Sequence, residues 1–130
     1  MTDFSDVLRA ALRAADCDDA SYRFDSHSPI TMGFTDVGDI TFVPEDDDVW
    51  IWHELTNTTV YQLSHNAGDM LDVLAEPVDY LRAGCLNLRT ENESLWLGGQ
   101  LSNHVRESGE LLAAALDVFH AQVTRVRAML

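Results

Sequence analysis

The chain contains no lysine, and its eight arginines stand against 22 acidic residues, which gives a formal net charge of -14 over 130 residues. This shortage of positive charge argues against nucleic-acid binding, because phosphate contacts need a basic surface. It disfavours binding to an anionic membrane surface for the same reason. Such acidity serves solubility, attraction of basic partners or mimicry of a polyanion, and the sequence leaves these three uses open.

Cysteines and long apolar runs are also scarce. The two cysteines, Cys17 and Cys85, are isolated in the sequence, and the first 20 residues lack the basic start and unbroken apolar run of a signal peptide. We therefore expect two free thiols in a reducing cytoplasm rather than a disulfide or a metal pair. No segment reaches the length of a transmembrane helix.

A convergent set of catalytic groups is missing as well. The consecutive Asp46, Asp47 and Asp48 lack the alternating spacing of a calcium loop. The run Asp25-Ser26-His27-Ser28 contains the residue types of a hydrolase triad, but adjacency in sequence is not triad geometry. The sequence therefore predicts no catalytic residue, no metal and no cofactor, and it favours a binding protein over an enzyme.

Hydrophobic periodicity predicts the order of the secondary structure. Helical spacing alternates with short stretches of strand spacing, and the predicted ranges are a helix at 3–17, strands at 30–34, 40–43 and 49–55, a helix from 57 or 58 to 76, a hairpin within 85–101 and a helix at 106–130. The order α-β-β-β-α-β-β-α predicts an α+β fold, an antiparallel sheet of about five strands packed with three helices. We expect one domain that spans residues 1–130.

The most aromatic stretch, Val49 to Leu55, directly follows the acidic turn. Side chains alternate in a strand, so Trp50 and Trp52 share one face while Ile51 and His53 share the other. Since both faces are apolar, the strand is either buried on both sides or offers an aromatic surface to a partner on one side. Large aromatic side chains dominate the binding energy of many interfaces, which favours the second interpretation.

The run Asp46-Asp47-Asp48-Val49-Trp50-Ile51-Trp52, together with Asp25-Ser26-His27-Ser28 upstream, resembles the InvB/SpaK-type class I (IB) chaperones of bacterial type III secretion systems. The resemblance extends over nearly the whole chain, with a leading amphipathic helix closed by Cys17 and a long final helix. It implies a non-catalytic cytoplasmic homodimer that holds the N-terminal segment of one or more secreted effectors extended and export-competent. Such proteins deliver this cargo to the secretion ATPase.

Two sets of site residues are expected on this interpretation. The expected effector-binding residues are Trp50 and Trp52, with Phe34 and Phe42 beside them and Leu8 and Leu12 from the first helix. The second predicted helix is apolar on more than one side, which is typical of a helix that packs on its own sheet and on a second copy of the chain. The expected dimer-interface residues are Leu63, Ala67, Met70, Leu71 and Leu74. Full burial of this helix within one chain stays open as the alternative.

Two other classes of protein also fit the sequence. One is an acidic decoy or immunity-type protein that blocks a basic partner through surface carboxylates, and its binding would depend strongly on salt. The other is a small enzyme whose site forms between subunits, with His27 or His53 within hydrogen-bond reach of a carboxylate.

Overall fold

The computed structural model describes residues 4–14, 28–55 and 60–130. In chain order the elements are α1 (Phe4–Ala14), β1 (Ile30–Phe34), β2 (Gly38–Glu45), β3 (Asp48–Leu55), α2 (Val60–His65), α3 (Ala67–Ala75), β4 (Asn87–Glu91), β5 (Ser94–Gln100), α4 (Asn103–Arg106) and α5 (Gly109–Met129). The predicted α+β class is confirmed. Within these ranges, none of the helices is long and apolar enough to cross a membrane.

The strands form an antiparallel sheet with the order β1-β2-β3-β5-β4. The predicted meander of the first three strands and the predicted hairpin are both confirmed. The acidic run supplies the tight turn between β2 and β3, where Asp46 adopts a φ of 55° and Glu45 pairs with Asp48. A two-residue hairpin connection needs this left-handed backbone, which aspartate tolerates better than most residues. The turn thereby sets the register in which β3 pairs with β2.

The predicted middle helix is divided into two helices, because the helical hydrogen bonding is interrupted at Asn66. The backbone N–H of Asn66 donates to the carbonyl of Leu63 at 3.0 Å and ends α2, and the Asn66 carbonyl then accepts the first hydrogen bond of α3 from Met70 at 2.9 Å. Asparagine competes with helical hydrogen bonding and favours such boundaries. The predicted cap at Asn57 or Thr58 lies outside the described residues.

The predicted final helix, 106–130, corresponds to α5, which begins three residues later than predicted, and an unpredicted short helix precedes it. A short helix, α4, ends at Arg106, and α5 begins at Gly109. The Ser108 hydroxyl accepts a hydrogen bond from the backbone N–H of Leu111 at 3.3 Å, which is the contact of a helix N-cap. The order of elements is therefore as predicted, with these two helix boundaries corrected.

One face of the sheet, here called the inner face, carries the core. Phe4 of α1 packs against Phe42 of β2 with ring centroids 5.5 Å apart, and Ile51 of β3 is fully buried between them and the rest of the core. Helices α1 and α5 approach so closely that a Cβ atom on Gly109 would lie 2.5 Å from the Cβ of Ala10. This glycine therefore lets the two helices share one apolar layer over the sheet.

A second glycine fixes the contact between β3 and β5. Gly98 pairs with Trp52, and a Cβ atom on it would lie 1.9 Å from the carbonyl oxygen of Ile51 and 2.9 Å from the Trp52 ring. Neither neighbour has room to move, because one is backbone and the other is a packed indole. The sheet can hold Trp52 at this position only because residue 98 has no side chain.

We expect Gly98→Ala to lower the free energy of unfolding by at least about 3 kcal/mol, because the methyl group overpacks the β3–β5 contact. Gly33→Ala is the matched control, since its Cβ meets only Asp39 Oδ1 at the ordinary distance of 3.5 Å. The control should be unchanged or more stable by about 0.5–1 kcal/mol, as alanine is favoured over glycine in a strand. Urea unfolding followed by circular dichroism measures both, and equal stability of the two variants would contradict this account.

Candidate functional site

The face of the sheet opposite the core is the outer face, and β3 places two tryptophans there. Trp50 is half-buried and Trp52 is 6% exposed, with their indoles stacked at a centroid distance of 5.8 Å and an interplanar angle of 4°. On the neighbouring strand β2, Val43 pairs with Trp50 and remains half-buried. The alternation predicted for β3 is therefore confirmed, and its outer side carries one half-buried and one buried tryptophan.

An arginine completes this layer from two strands away. The guanidinium carbon of Arg89 on β4 lies 4.7 Å from the ring centroid of Trp52, and Arg89 also pairs with the carboxylate of Glu91. Strand β5 runs between them, but Gly98 leaves its outer side open at this point, so the arginine can reach across. Trp96 lies on the same outer face, because it pairs with Arg89 on one side and with Glu54 on the other. We call Trp50, Trp52, Trp96 and Arg89 the tryptophan face.

The tryptophan face is suited to binding rather than to chemistry. Its indoles offer wide, rigid apolar area, and a cation over an indole holds that area in place at little entropic cost. Trp50 and Trp96 are half-buried, and aromatic side chains of this kind contribute strongly when a partner covers them. The surface fits apolar side chains presented by an extended partner.

Four further residues predicted to bind the effector lie elsewhere. Leu8, Leu12 and Phe42 are 0%, 3% and 0% exposed and belong to the core. Phe34 is half-buried on the inner face, where its ring lies 5.2 Å from that of His120. The expectation that Phe34 and Phe42 stand beside the tryptophans is corrected by the register: Phe42 pairs with Ile51, so the sheet separates it from Trp50 and Trp52.

A second accessible apolar surface lies on the α2–α3 pair. Tyr61 is 72% exposed and Leu71 is 65% exposed, and they are the most exposed large hydrophobic side chains in the described ranges. Of the other residues predicted at a dimer interface, Ala67 is exposed, while Leu63 and Leu74 are half-buried. We call Tyr61, Leu63, Ala67, Leu71 and Leu74 the α2–α3 surface.

Met70 is the residue of the predicted dimer interface that the structure places in the core. It is 3% exposed and packs inward with Val73, which is fully buried. A single continuous helix would have put Met70 on the same side as Leu63, but the break at Asn66 starts α3 afresh. Tyr61 of α2 lies on the outside, and sequence periodicity alone does not assign it to the interface.

The buried histidine of β3 is held by two hydrogen bonds. His53 Nδ1 lies 2.7 Å from the carbonyl oxygen of Asp39, and its Nε2 accepts a hydrogen bond from Arg127 Nε at 2.9 Å, so neither partner is a carboxylate. Burial lowers the pKa of His53 below its ordinary value. His27 lies outside the described residues. In the three described ranges, no group of three or more histidine, cysteine or acidic side chains is placed to hold a metal ion.

Comparison with known proteins gives concordant matches. Residues 16–93 match the model of the Invasion protein B family, and this range contains both sequence motifs described above. The chain is also 30% identical over 119 residues to the Surface presentation of antigens protein SpaK of Salmonella typhimurium. A protein of the same name from Salmonella typhi has the same identity. Each alignment covers 91% of this chain and 88% of the relative.

We expect Arg89→Ala to uncover the Trp52 indole, because the guanidinium lies over its ring. The substitution should lower the free energy of unfolding by about 0.5–1 kcal/mol and shift tryptophan emission to longer wavelength. Arg82→Ala is the matched control, since Arg82 is also exposed and makes only a 3.8 Å ion pair with Asp48. An emission spectrum that moves equally in both variants would contradict the arrangement of the tryptophan face.

Proposed function

Because this chain belongs to the Invasion protein B family, we propose that it is a type III secretion chaperone of the bacterial cytoplasm. Its cargo is the N-terminal segment of one or more secreted effectors, which it keeps extended and competent for export. It delivers this cargo to the secretion apparatus, with the secretion ATPase as the receiving partner. The family match over 60% of the chain, residues 16–93 of 130, is the observation that carries the proposal.

The tryptophan face supports the proposal by supplying a surface for such a cargo. An extended segment cannot fill a deep pocket, but it can lay successive apolar side chains on a broad, shallow surface. Trp50 is half-buried at the centre of that surface, and the buried Trp52, which is 6% exposed, is stacked against it. We assign the main cargo contact to Trp50, with Trp52 holding its indole in place.

The edges of the sheet offer a second means of holding an extended chain. β1 and β4 are the outermost strands of the order β1-β2-β3-β5-β4, and among the described residues neither pairs with a further strand on its outer side. Unpaired backbone N–H and C=O groups on an edge strand are templates for an added strand. A segment bound at the β4 edge would lie next to Arg89 and hence next to the tryptophan face.

We further propose that the protein works as a homodimer through the α2–α3 surface. Two large side chains, Tyr61 and Leu71, are exposed there in the single chain, and burying them against a second copy removes that apolar area from water. A dimer doubles the cargo surface, so that one effector segment can run over both copies. Binding and release of cargo need no catalytic group, and we assign no enzymatic activity to the chain.

Trp50→Ala tests the cargo surface. We expect it to weaken binding of an effector N-terminal segment at least about 30-fold, the loss typical of a central aromatic hot spot. Val118→Ala is the control, because Val118 is 48% exposed on α5 and outside the tryptophan face. Isothermal titration calorimetry measures the affinity, and circular dichroism confirms the fold. Binding that survives Trp50→Ala but disappears in high salt would reject the proposal and favour an acidic decoy of a basic partner.

Leu71→Asp tests the dimer. Leu71 is 65% exposed, so the charge should leave the folded monomer intact while it disrupts an apolar interface between copies. We expect the dissociation constant of the dimer to rise at least about 30-fold by sedimentation velocity. Val118→Asp is the control on another exposed face. Met70→Asp is unsuitable because Met70 is in the core. A dimer that persists in the Leu71→Asp, Tyr61→Asp double variant would show that the interface lies elsewhere.

A further inference from the structure

Two histidines connect helix α5 to neighbouring parts of the sheet, one to the loop between β1 and β2 and one to the start of β2. His53 of β3 holds the carbonyl of Asp39 and the side chain of Arg127, which lies in the last turns of α5. Two turns earlier on the same helix, His120 Nε2 lies 3.0 Å from the carboxylate of Asp36. The loop and the start of β2 are therefore each held to α5 through an imidazole.

The geometry at His53 requires a neutral imidazole in one tautomer. A carbonyl oxygen can only accept, so Nδ1 carries the proton and donates to Asp39. An arginine Nε can only donate, so Nε2 carries the lone pair and accepts from Arg127. Arg127 also donates through Nη2 to the carbonyl of Glu54 at 3.0 Å. Adding a proton at Nε2 would bring two positively charged N–H groups together in a site where His53 is only 1% exposed.

The charged groups around His53 come from three elements: Arg127 of α5, Asp39 of β2, and Glu54 of β3 itself. Strand β5 presents the apolar Leu97 at the paired position. Burial, the largest effect, disfavours the charged imidazole and lowers the pKa of His53, and the Arg127 charge acts in the same direction. The Asp39 contact and the Glu54 charge oppose this lowering without reversing it.

A cavity beside this contact gives the arginine a place to move. Its volume is about 450 Å³, and Arg127, Glu54 and Asp39 all line it, with Thr31 and Thr41 from the outer sheet face. A guanidinium displaced from His53 can enter this space and remain near two carboxylate-bearing side chains. Water that enters by the same route can hydrate a protonated imidazole, which makes the charged state reachable without unfolding of the chain.

A proton on the imidazole has the opposite effect on the second contact, between His120 and Asp36. When His120 is protonated, its contact with Asp36 becomes an ion pair, and the hydrogen bond from His120 is the main reason why the pKa of Asp36 lies below its ordinary value. The side chain of His120 is 28% exposed. A proton on the imidazole therefore opposes the contact at the end of α5 and is compatible with the contact at its middle.

We propose that His53 and Arg127 form an acid-sensitive latch, which releases the C-terminal turns of α5 from the sheet when His53 is protonated while His120 keeps the rest of the helix in place. The released segment carries Arg125, whose 2.6 Å ion pair with Glu76 joins α5 to the end of α3. Opening of the latch therefore loosens α3, and with it the α2–α3 surface, without dissolving the sheet.

The direction of the pH effect follows from the folded-state pKa. His53 titrates below the ordinary value of 6.5 when the latch is closed, so the closed latch binds fewer protons than the open one. Its stability is fully present above that ordinary value and is lost as the pH falls toward the folded pKa. Between the ordinary value and the lower folded pKa, opening should become about tenfold more favourable for each pH unit, as expected for a single proton, and it should level off below the folded pKa, where both states carry the proton.

Hydrogen exchange of the full chain, read residue by residue by NMR between pH 8 and pH 5, tests the latch. We expect protection factors of residues 124–130 to fall as His53 titrates, while those of residues 112–120 and of β3 stay constant. The imidazole signals of His53 and His120 give the two titration midpoints in the same samples. Loss of protection that follows His120, or that involves all amides together, would overturn the proposal.

His53→Gln and Arg125→Gln separate the latch from its neighbours. Glutamine cannot titrate, so the exchange of residues 124–130 should lose its pH dependence in His53→Gln. Arg125→Gln removes an exposed cation from the same turns of α5 and should retain the wild-type pH dependence. Unchanged pH dependence in His53→Gln would overturn the latch. Should that variant fail to fold, agreement between the exchange midpoint and the His53 midpoint in the wild-type chain decides the question.

Discussion

The alternation of side chains along β3 is the constraint on which the rest of the structure depends. Both of its faces carry large apolar groups, and the two faces are covered in different ways. The inner side is covered by α1 and α5, which bury Ile51 completely. On the outer side, Trp52 is stacked on Trp50 and approached by Arg89. The sheet therefore has a core on one face and an accessible aromatic surface on the other.

Two glycines allow both faces of the sheet to be covered in this way. Gly109 allows α1 and α5 to lie in one layer, and Gly98 allows the Trp52 indole to lie flat against β5. Gly98 also leaves the gap through which Arg89 reaches the indole from β4. The same position thus serves the stability of the sheet and the shape of the proposed cargo surface, so a change there would alter both.

Helix α5 connects the sheet to the proposed dimer surface on α2–α3. Its middle is held to the β1–β2 loop by His120, its end is held to β3 through His53, and Arg125 joins it to the end of α3. The proposed dimer surface on α2–α3 therefore depends on contacts made by the sheet. Protonation of His53 can affect α3 along this path, because the two hydrogen-bond partners of the His53 imidazole belong to different elements.

The sequence by itself determined the class, the order of elements and the faces of β3, because periodicity and turn residues are local properties. The sequence also indicates the family, through motifs that include Trp50 and Trp52. Only the tertiary structure decided that Phe42 lies across the sheet from these tryptophans, because strand register depends on pairing partners. Only the tertiary structure likewise decided that Met70 lies in the core and Tyr61 on the outside. The contacts of Arg89 with Trp52 and of Arg127 with His53 join residues far apart in the chain, and local patterns do not specify such pairs.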